Sequence, residues 1–382
     1  MNILFLKHMA GKYDYQISLE AFSARYIRKN KNNKEQQSMT GGMSTVLQRY
    51  DSAFRRDVVV KLVQPQPNLH PNEQSEFRKR FFQEAFIAMQ LNHPNMVPVY
   101  EFGIIVSPPH AQSPTQQIHP YMVMEYVDGC DFRKAFQHAK ESSKFSLEKL
   151  MVLFDQICDP FEWAHEKGVI HRDIKPGNVL LSKTGKVAVC DWGIAKIITG
   201  GPENKKTSTS NINLVPQVVT APNMMVGTLA YITPEQLHGL PVSPATDVFL
   251  LGALLYEAIV GKAPYSYDEQ SLIRRQARDD HRYDMPNSVP RPARDIITKA
   301  MQPEPEDRYQ DVTALRADVR TYLTDLINKP SSASSQRRPR KKGLFRRLFP
   351  DKDETAILPQ KPRKYISVSD VVKEWVKPKN KK

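Results

Sequence analysis

Cysteine is scarce: Cys130, Cys158 and Cys190 are the only three in 382 residues, and they lie far apart. An odd number of scattered thiols excludes a disulfide framework and offers no cysteine cluster for a metal. A reducing, cytoplasmic setting fits that usage. Long apolar runs are also missing. Nothing approaches the about 18 apolar residues that a membrane helix needs. The longest candidate, Phe249 to Val260, contains Glu257 and reads as a buried core helix. The opening MNILFLKHMA has too short an apolar run for a secretory leader.

Acidic residues are in deficit at both ends but not between them. The net charge is +14. Residues 330–382 hold 16 Lys/Arg against 5 Asp/Glu, residues 1–37 hold 7 against 3, and residues 38–329 hold 32 against 33. The body is therefore close to neutral. The nucleic-acid question that a basic protein raises belongs to the tails alone, and nucleic acid is the least favoured of their partners. Apolar residues make up 40% of the chain, enough for a substantial core.

Several elements can be read from pattern. Asp57 to Val63 (DVVVKLV) is a β-branched run that predicts a strand. Glu73 to Leu91 predicts a helix, with Phe77, Phe81, Phe82, Ala85, Ile87 and Met89 partly following its period. A short element is expected around Ser18 to Ile27. Residues 106–120, rich in Pro and Gln, read as a loop. Helices are expected from about Asp131 onward, notably Ser146 to Glu166, Ala245 to Val260 and a short one from Val368 to Val376. The run PSSASSQRRPRKKG after Lys329 reads as a basic low-complexity linker.

The chemistry concentrates in HRDIKPGNVLL, His171 to Leu181, followed by Asp191-Trp192-Gly193. With VVVK ending at Lys61 and a mid-helix Glu84, this set resembles the eukaryotic-like serine/threonine protein kinases, especially their bacterial branch. The resemblance spans roughly Ala24 to Leu326. It implies an α+β, two-lobed fold with a small β-rich N-lobe holding one helix and a larger helical C-lobe. The expected domains are 1–23, an N-terminal extension; 24–326, the kinase domain, with its N-lobe about 24–124 and its C-lobe about 128–326; and 327–382, a basic low-complexity tail.

The resemblance also implies roles. Phosphoryl transfer is mostly positioning and charge neutralisation. Asp173 stands at the catalytic base, and Lys175 at the residue that touches the γ-phosphate in serine/threonine-specific members. Lys61 would grip the α- and β-phosphates, held by Glu84. Asn178 and Asp191 would hold Mg²⁺, or Mn²⁺ in its place, since hard oxygen ligands suit such ions. In YMVMEYV, Met124 would be the gatekeeper residue, and the backbone of Glu125 and Val127 would bond adenine between Val46, Val59 and Leu180. ATP and protein substrates are the implied partners. Glu235 is expected to pair with Arg308, Asp247 to anchor the HRD backbone, and Thr228 to bridge Asp173 and Lys175.

One motif departs from the pattern. Aligned on G-x-G-x-x-G-x-V, residues 39–46 read MTGGMSTV: Gly41 and Val46 match, Gly42 follows, and Met39 and Ser44 replace the outer glycines. Glycine is wanted there because the backbone must approach phosphate closely. A weakened phosphate cover is expected. A pseudokinase, serving as an ATP-binding or protein-binding scaffold, is the alternative reading, but Lys61, Glu84, Asp173, Asn178 and Asp191 are all retained. A P-loop nucleotidase is excluded by the absence of G-x-x-x-x-G-K-[ST]. The long segment from Asp191 to Glu235 carries Thr207, Ser208, Thr209, Ser210 and Thr220 as candidate autophosphorylation sites, with Arg172 as phosphate partner. In the tail, GLFRRLF sets Leu344, Phe345, Leu348 and Phe349 opposite Arg346 and Arg347, a pattern for partner docking or for peripheral contact with an anionic membrane.

Overall fold

In a computed structural model, residues 16–27, 39–41, 44–63, 71–108, 117–192, 229–266, 271, 275, 281–328 and 366–376 are described. The chain forms two lobes. The smaller is built on a sheet of strands β1 (Gln16–Ser18), β2 (Tyr26–Ile27), β3 (Met39–Gly41), β4 (Ser44–Asp51), β5 (Arg56–Val63), β6 (Val99–Ser107) and β7 (Gln117–Glu125). The order is β1-β6-β7-β5-β4, with β2 and β3 both pairing with β4. Only β1 runs parallel to its neighbour, β6; the other pairs are antiparallel.

The continuous apolar run of β5 has a physical reason: both faces of the sheet are covered. Helix α1 (Leu19–Arg25) sends Phe22 onto one face, where it packs with Val58, Val60, Tyr121 and Val123. Helix α2 (Pro71–Gln90) packs Phe81, Phe82 and Ala85 on the other, with Val63, Met122 and Met124. Residues read from the sequence as an extension thus contribute a strand and a helix from Gln16 onward. The pattern reading of 106–120 as a loop needs correction. Strands β6 and β7 reach into it from both sides, through the pairs Val106↔Ile118 and Ser107↔Gln117. Ladder hydrogen bonds extend the hairpin there despite poor intrinsic strand propensity.

The larger lobe holds a three-stranded sheet, β8 (Gly129–Asp131), β9 (Val179–Ser182) and β10 (Val187–Val189), in the order β10-β9-β8. Around it lie α3 (Phe132–Glu141), α4 (Leu147–Glu166), α5 (Pro234–His238), α6 (Pro244–Val260), α7 (Arg291–Ala300), α8 (Val312–Asn328) and α9 (Val368–Val376). Asp131 caps α3 through the amide of Lys134, and Ser146 caps α4 through that of Lys149. Helix α6 is apolar on nearly every side and is the buried centre of the lobe. Its Gly252 lets α7 approach closely: a Cβ there would lie 2.7 Å from that of Ala300. Helix α8 is held to α4 by Arg316 and Arg320, which share the buried carboxylate of Asp155 at 2.9 and 2.6 Å.

The lobes meet at a short polar junction behind the cleft. Asn95, buried, donates its side-chain amide to Val187 O at 2.8 Å and accepts from Gln156 of α4 at 2.6 Å. Backbone bonds from Val97 N to Val189 O and from Val189 N to Asn95 O complete the seam.

Candidate active site

The segment His171 to Asn178 joins α4 to β9, and its shape is fixed from below by Asp247 of α6. That carboxylate, fully buried, accepts from the amides of His171 and Arg172 at 2.8 Å each and contacts His165 Nε2 at 2.8 Å. Arg172 sits at φ +71°, a left-handed conformation that a non-glycine residue adopts at a cost. The three contacts to Asp247 hold the loop where that conformation is required. His171 Nε2 bonds to the carbonyl of Cys190 at 2.9 Å, and the Asp173 amide donates to its Nδ1 at 3.3 Å. A carbonyl only accepts and an amide N–H only donates, so the ring carries its proton on Nε2.

Asp173 projects from this loop. Its carboxylate meets Lys175 Nζ at 2.8 and 3.1 Å and Asn178 Nδ2 at 3.0 Å, while the same Asn178 nitrogen donates to the Asp173 carbonyl at 2.8 Å. Asn178 is in turn joined to the next strand by the bond from Cys190 N to its carbonyl, 3.0 Å. Asp191 follows at φ +65°. Trp192 is buried against Phe161 and His171, with ring centroids 5.1 and 4.7 Å away. Its indole N–H donates to Val189 O at 3.2 Å. The large ring anchors the start of the segment that carries Asp191.

Lys61 reaches this group from β5. Its ammonium lies 2.8 Å from Asp191 Oδ1, and both side chains are largely buried. Burial alone would push the lysine down and the carboxyl up. Their mutual attraction outweighs both effects, so Lys61 is held above and Asp191 below its ordinary value. The resemblance also implies Glu84 as a partner of Lys61; that residue lies in α2, and its side chain is outside the described residues.

The expected adenine pocket collects on one face of the N-lobe sheet. The register sets Val46 opposite Lys61, Val59 opposite Met124 and Lys61 opposite Met122. Directly opposed antiparallel residues share a face, so Val46, Val59, Lys61 and Met124 line the same side. Leu180, Val127 and Cys190 pack against the same cluster. Glu125 pairs with Lys186 at 3.2 Å. At the loop over the cleft, Gly41 pairs with Ser44 across a tight hairpin, and Gly42 lies outside the described residues. So do Gly193, Thr228 and the five candidate phosphorylation sites.

The framework pair is present: Arg308 and Glu235, both buried, meet at 2.9 and 3.0 Å. Three contacts were not foreseen. Gln236 donates to the carbonyl of Arg172 at 2.9 Å, tying α5 to the loop of His171 to Asn178. Its signal was available, because Thr233 and Gln236 form the reciprocal cap of a T-x-x-Q helix start. Glu257, buried in α6, binds Arg133 at 2.6 Å and the hydroxyl of Tyr231. His165, bound to Asp247, carried no pattern that would mark it.

Comparison with known proteins agrees with this geometry. Residues 34–319 match the family model described as protein kinase domain. The chain is 31% identical to the serine/threonine-protein kinase PknD of Protochlamydia amoebophila, over 74% of this chain and 29% of that protein. It is 32% identical to PknB of Mycobacterium tuberculosis over 73% of this chain and 41% of the relative, and 32% identical to PknA of the same organism over 77% and 63%. The chain thus spans less than two thirds of the length of these relatives. Among the described residues, no helix is long and apolar enough to cross a membrane. On the matched domain and the retained constellation, the chain belongs to the protein kinase family, in its bacterial eukaryotic-like serine/threonine branch.

Proposed function

We propose that this chain transfers the γ-phosphate of ATP to serine and threonine hydroxyls of proteins, itself included. One observation carries the reading. Lys61, Asp173, Lys175, Asn178 and Asp191 converge in one cleft through contacts of 2.8 to 3.1 Å. Adenine packs between Val46 and Val59 above and Leu180 below, beside Met124, and bonds the backbone of Glu125 and Val127. Lys61 meets the α- and β-phosphates. Asp173 receives the substrate proton as the hydroxyl oxygen bonds to the γ-phosphorus and the bond to the bridging oxygen of ADP breaks. Lys175, beside Asp173, faces the phosphoryl oxygens. Each group is held in place before reaction, which is the main source of rate in this chemistry.

The oxygens also suit a divalent ion. Asn178 spends its amide nitrogen on Asp173, which leaves Oδ1 as a ligand, and Asp191 retains Oδ2 beside the Lys61 contact. Two hard protein oxygens, with phosphate and water supplying the rest, are what Mg²⁺ takes; Mn²⁺ accepts the same set. Bound there, the ion would neutralise phosphate charge. The same reading assigns the chain to a reducing cytoplasm and the basic GLFRRLF segment, outside the described residues, to a partner protein or an anionic membrane surface.

The test is incubation of purified protein with labelled ATP and Mg²⁺, followed by mapping of phosphorylated residues. Label should enter serine and threonine. Lys61→Met and Asp191→Asn should each reduce transfer by about 100-fold or more. Near wild-type rates for both at saturating ATP would show the site to be misassigned.

A further inference from the structure

Helix α9 packs on the larger lobe far along the chain from the rest of it. Val371, Val372, Trp375 and Val376 are buried there, between α3, α4 and β9. The Trp375 ring lies 6.4 Å from that of Phe136 and 5.9 Å from that of Phe145. At the rim, Lys149 Nζ meets Glu374 Oε2 at 2.7 Å, and Lys144 Nζ donates to the Glu374 carbonyl at 3.4 Å. At the other end the fit is tighter still. Gly185, at φ +96° in the β9–β10 turn, stands so near that a Cβ on it would lie 2.1 Å from Ser369 Oγ.

The contacted elements lead into the active site. Strand β9 begins immediately after Asn178, β10 ends one residue before Cys190, and Asp191 follows. The hairpin under α9 therefore carries both proposed metal ligands at its ends. Helix α3 leaves β8, which pairs with β9.

Three features limit the strength of this contact or favour its re-formation. A helix of nine residues does not persist alone in water, where even roughly 12–15 residues are marginal, so α9 folds only in its groove. Trp375 Nε1 is buried without a hydrogen-bond partner among the described residues, which costs docking free energy. The Lys149–Glu374 pair is partly exposed. The 37 residues from 329 to 365 keep a released helix near its groove.

We propose that Val368–Val376 is a detachable brace, which folds on docking and fixes the β9–β10 hairpin together with α3. Release would loosen Asn178 and Asp191 without touching either. Hydrogen exchange of the full-length chain, read by mass spectrometry, tests this independently of phosphotransfer. In the wild type, residues 366–376 should exchange more slowly than a synthetic peptide of that sequence. Trp375→Ala should bring 366–376 to the peptide rate and speed exchange in 132–141 and 179–190 by about tenfold, with 244–260 unchanged. Adding the native peptide to the W375A chain should restore protection of 132–141 and 179–190. Lys149→Glu and Glu374→Lys should each speed exchange about two- to fivefold, and the double variant should recover. That charge-swap series decides the matter if W375A loses protection everywhere. Peptide-like exchange of 366–376 in the wild type would overturn the brace. So would a W375A chain whose hairpin stays fully protected, failure of the peptide to restore protection, or charge swaps that add instead of cancelling.

Discussion

At the scale of single residues, the site depends on carboxylates whose surroundings leave them no alternative. Asp247, fully buried, accepts from two backbone amides and meets one imidazole. Asp247→Asn keeps the shape but turns an N–H₂ toward one of those donors. We expect a loss of about 1–3 kcal/mol in urea denaturation, together with a fall in kcat, because the orphaned donor helps hold the loop that carries Asp173. Glu235 makes a pH prediction. Burial would raise its pKa, but the Arg308 guanidinium prevails and holds it below the ordinary 4.5. A depressed carboxyl contributes stability that is present above its unfolded value and lost as pH falls through the folded one. Stability should therefore fall from about pH 4.5 downward, and Glu235→Gln should flatten that fall. At neutral pH the variant should be less stable by about 3–5 kcal/mol, because Arg308 stays buried without a countercharge. Urea midpoints measured between neutral and acid pH check both statements.

At the scale of elements, the β3–β4 hairpin, proposed to cover phosphate, is where the sequence departs from the family motif. Strands β3 and β4 turn between Gly41 and Ser44 with no glycine at either outer motif position. Met39→Gly combined with Ser44→Gly should lower the KM for ATP, as the backbone can then come nearer the phosphates; steady-state kinetics at fixed protein substrate reads this. The long segment from Asp191 to Glu235 makes a second case. Replacing Thr207, Ser208, Thr209, Ser210 and Thr220 by Ala, or Arg172 by Ala, should lower activity if a phosphate there orders the segment. Full activity in both variants would exclude that switch. Motifs local in sequence were legible as places: HRDIKPGN, VVVK and Asp191 supply the side chains that the structure sets 2.8 to 3.1 Å from one another, Lys61 with Asp191 and Asp173 with Lys175 and Asn178. Strand β5 was legible too, since a β-branched run has few alternatives. What pattern missed was long-range. Nothing around Glu257 predicts its union with Arg133 and Tyr231, and the Lys61–Asp191 contact joins residues 130 apart. The short helix at Val368–Val376 was visible as a helix, whereas its groove was not, because Phe136, Phe145 and Gly185 come from a helix, a connection and a turn that are separate in sequence.

At the scale of the whole molecule, a small polar seam joins the lobes behind the cleft. Asn95 bonds the strand β10 carbonyl of Val187 and the α4 side chain of Gln156. Asn95→Ala leaves both without their partner in a buried place. We expect a cost of about 1–3 kcal/mol, with faster amide exchange at residues 95–97 and 187–189, which would register as a loosened junction even where the melting temperature moves little. The placement of α9 has a consequence in time. Residues 368–376 are synthesised after every element they cover. Until they emerge, the nascent lobe presents Phe136, Phe145 and their neighbours to water as an uncovered apolar surface. Chains growing from domain to domain ordinarily bury such surface as they go. Here maturation is deferred, and the interval before α9 arrives is when this lobe is most exposed to chaperones, to proteases and to other unfinished copies of itself.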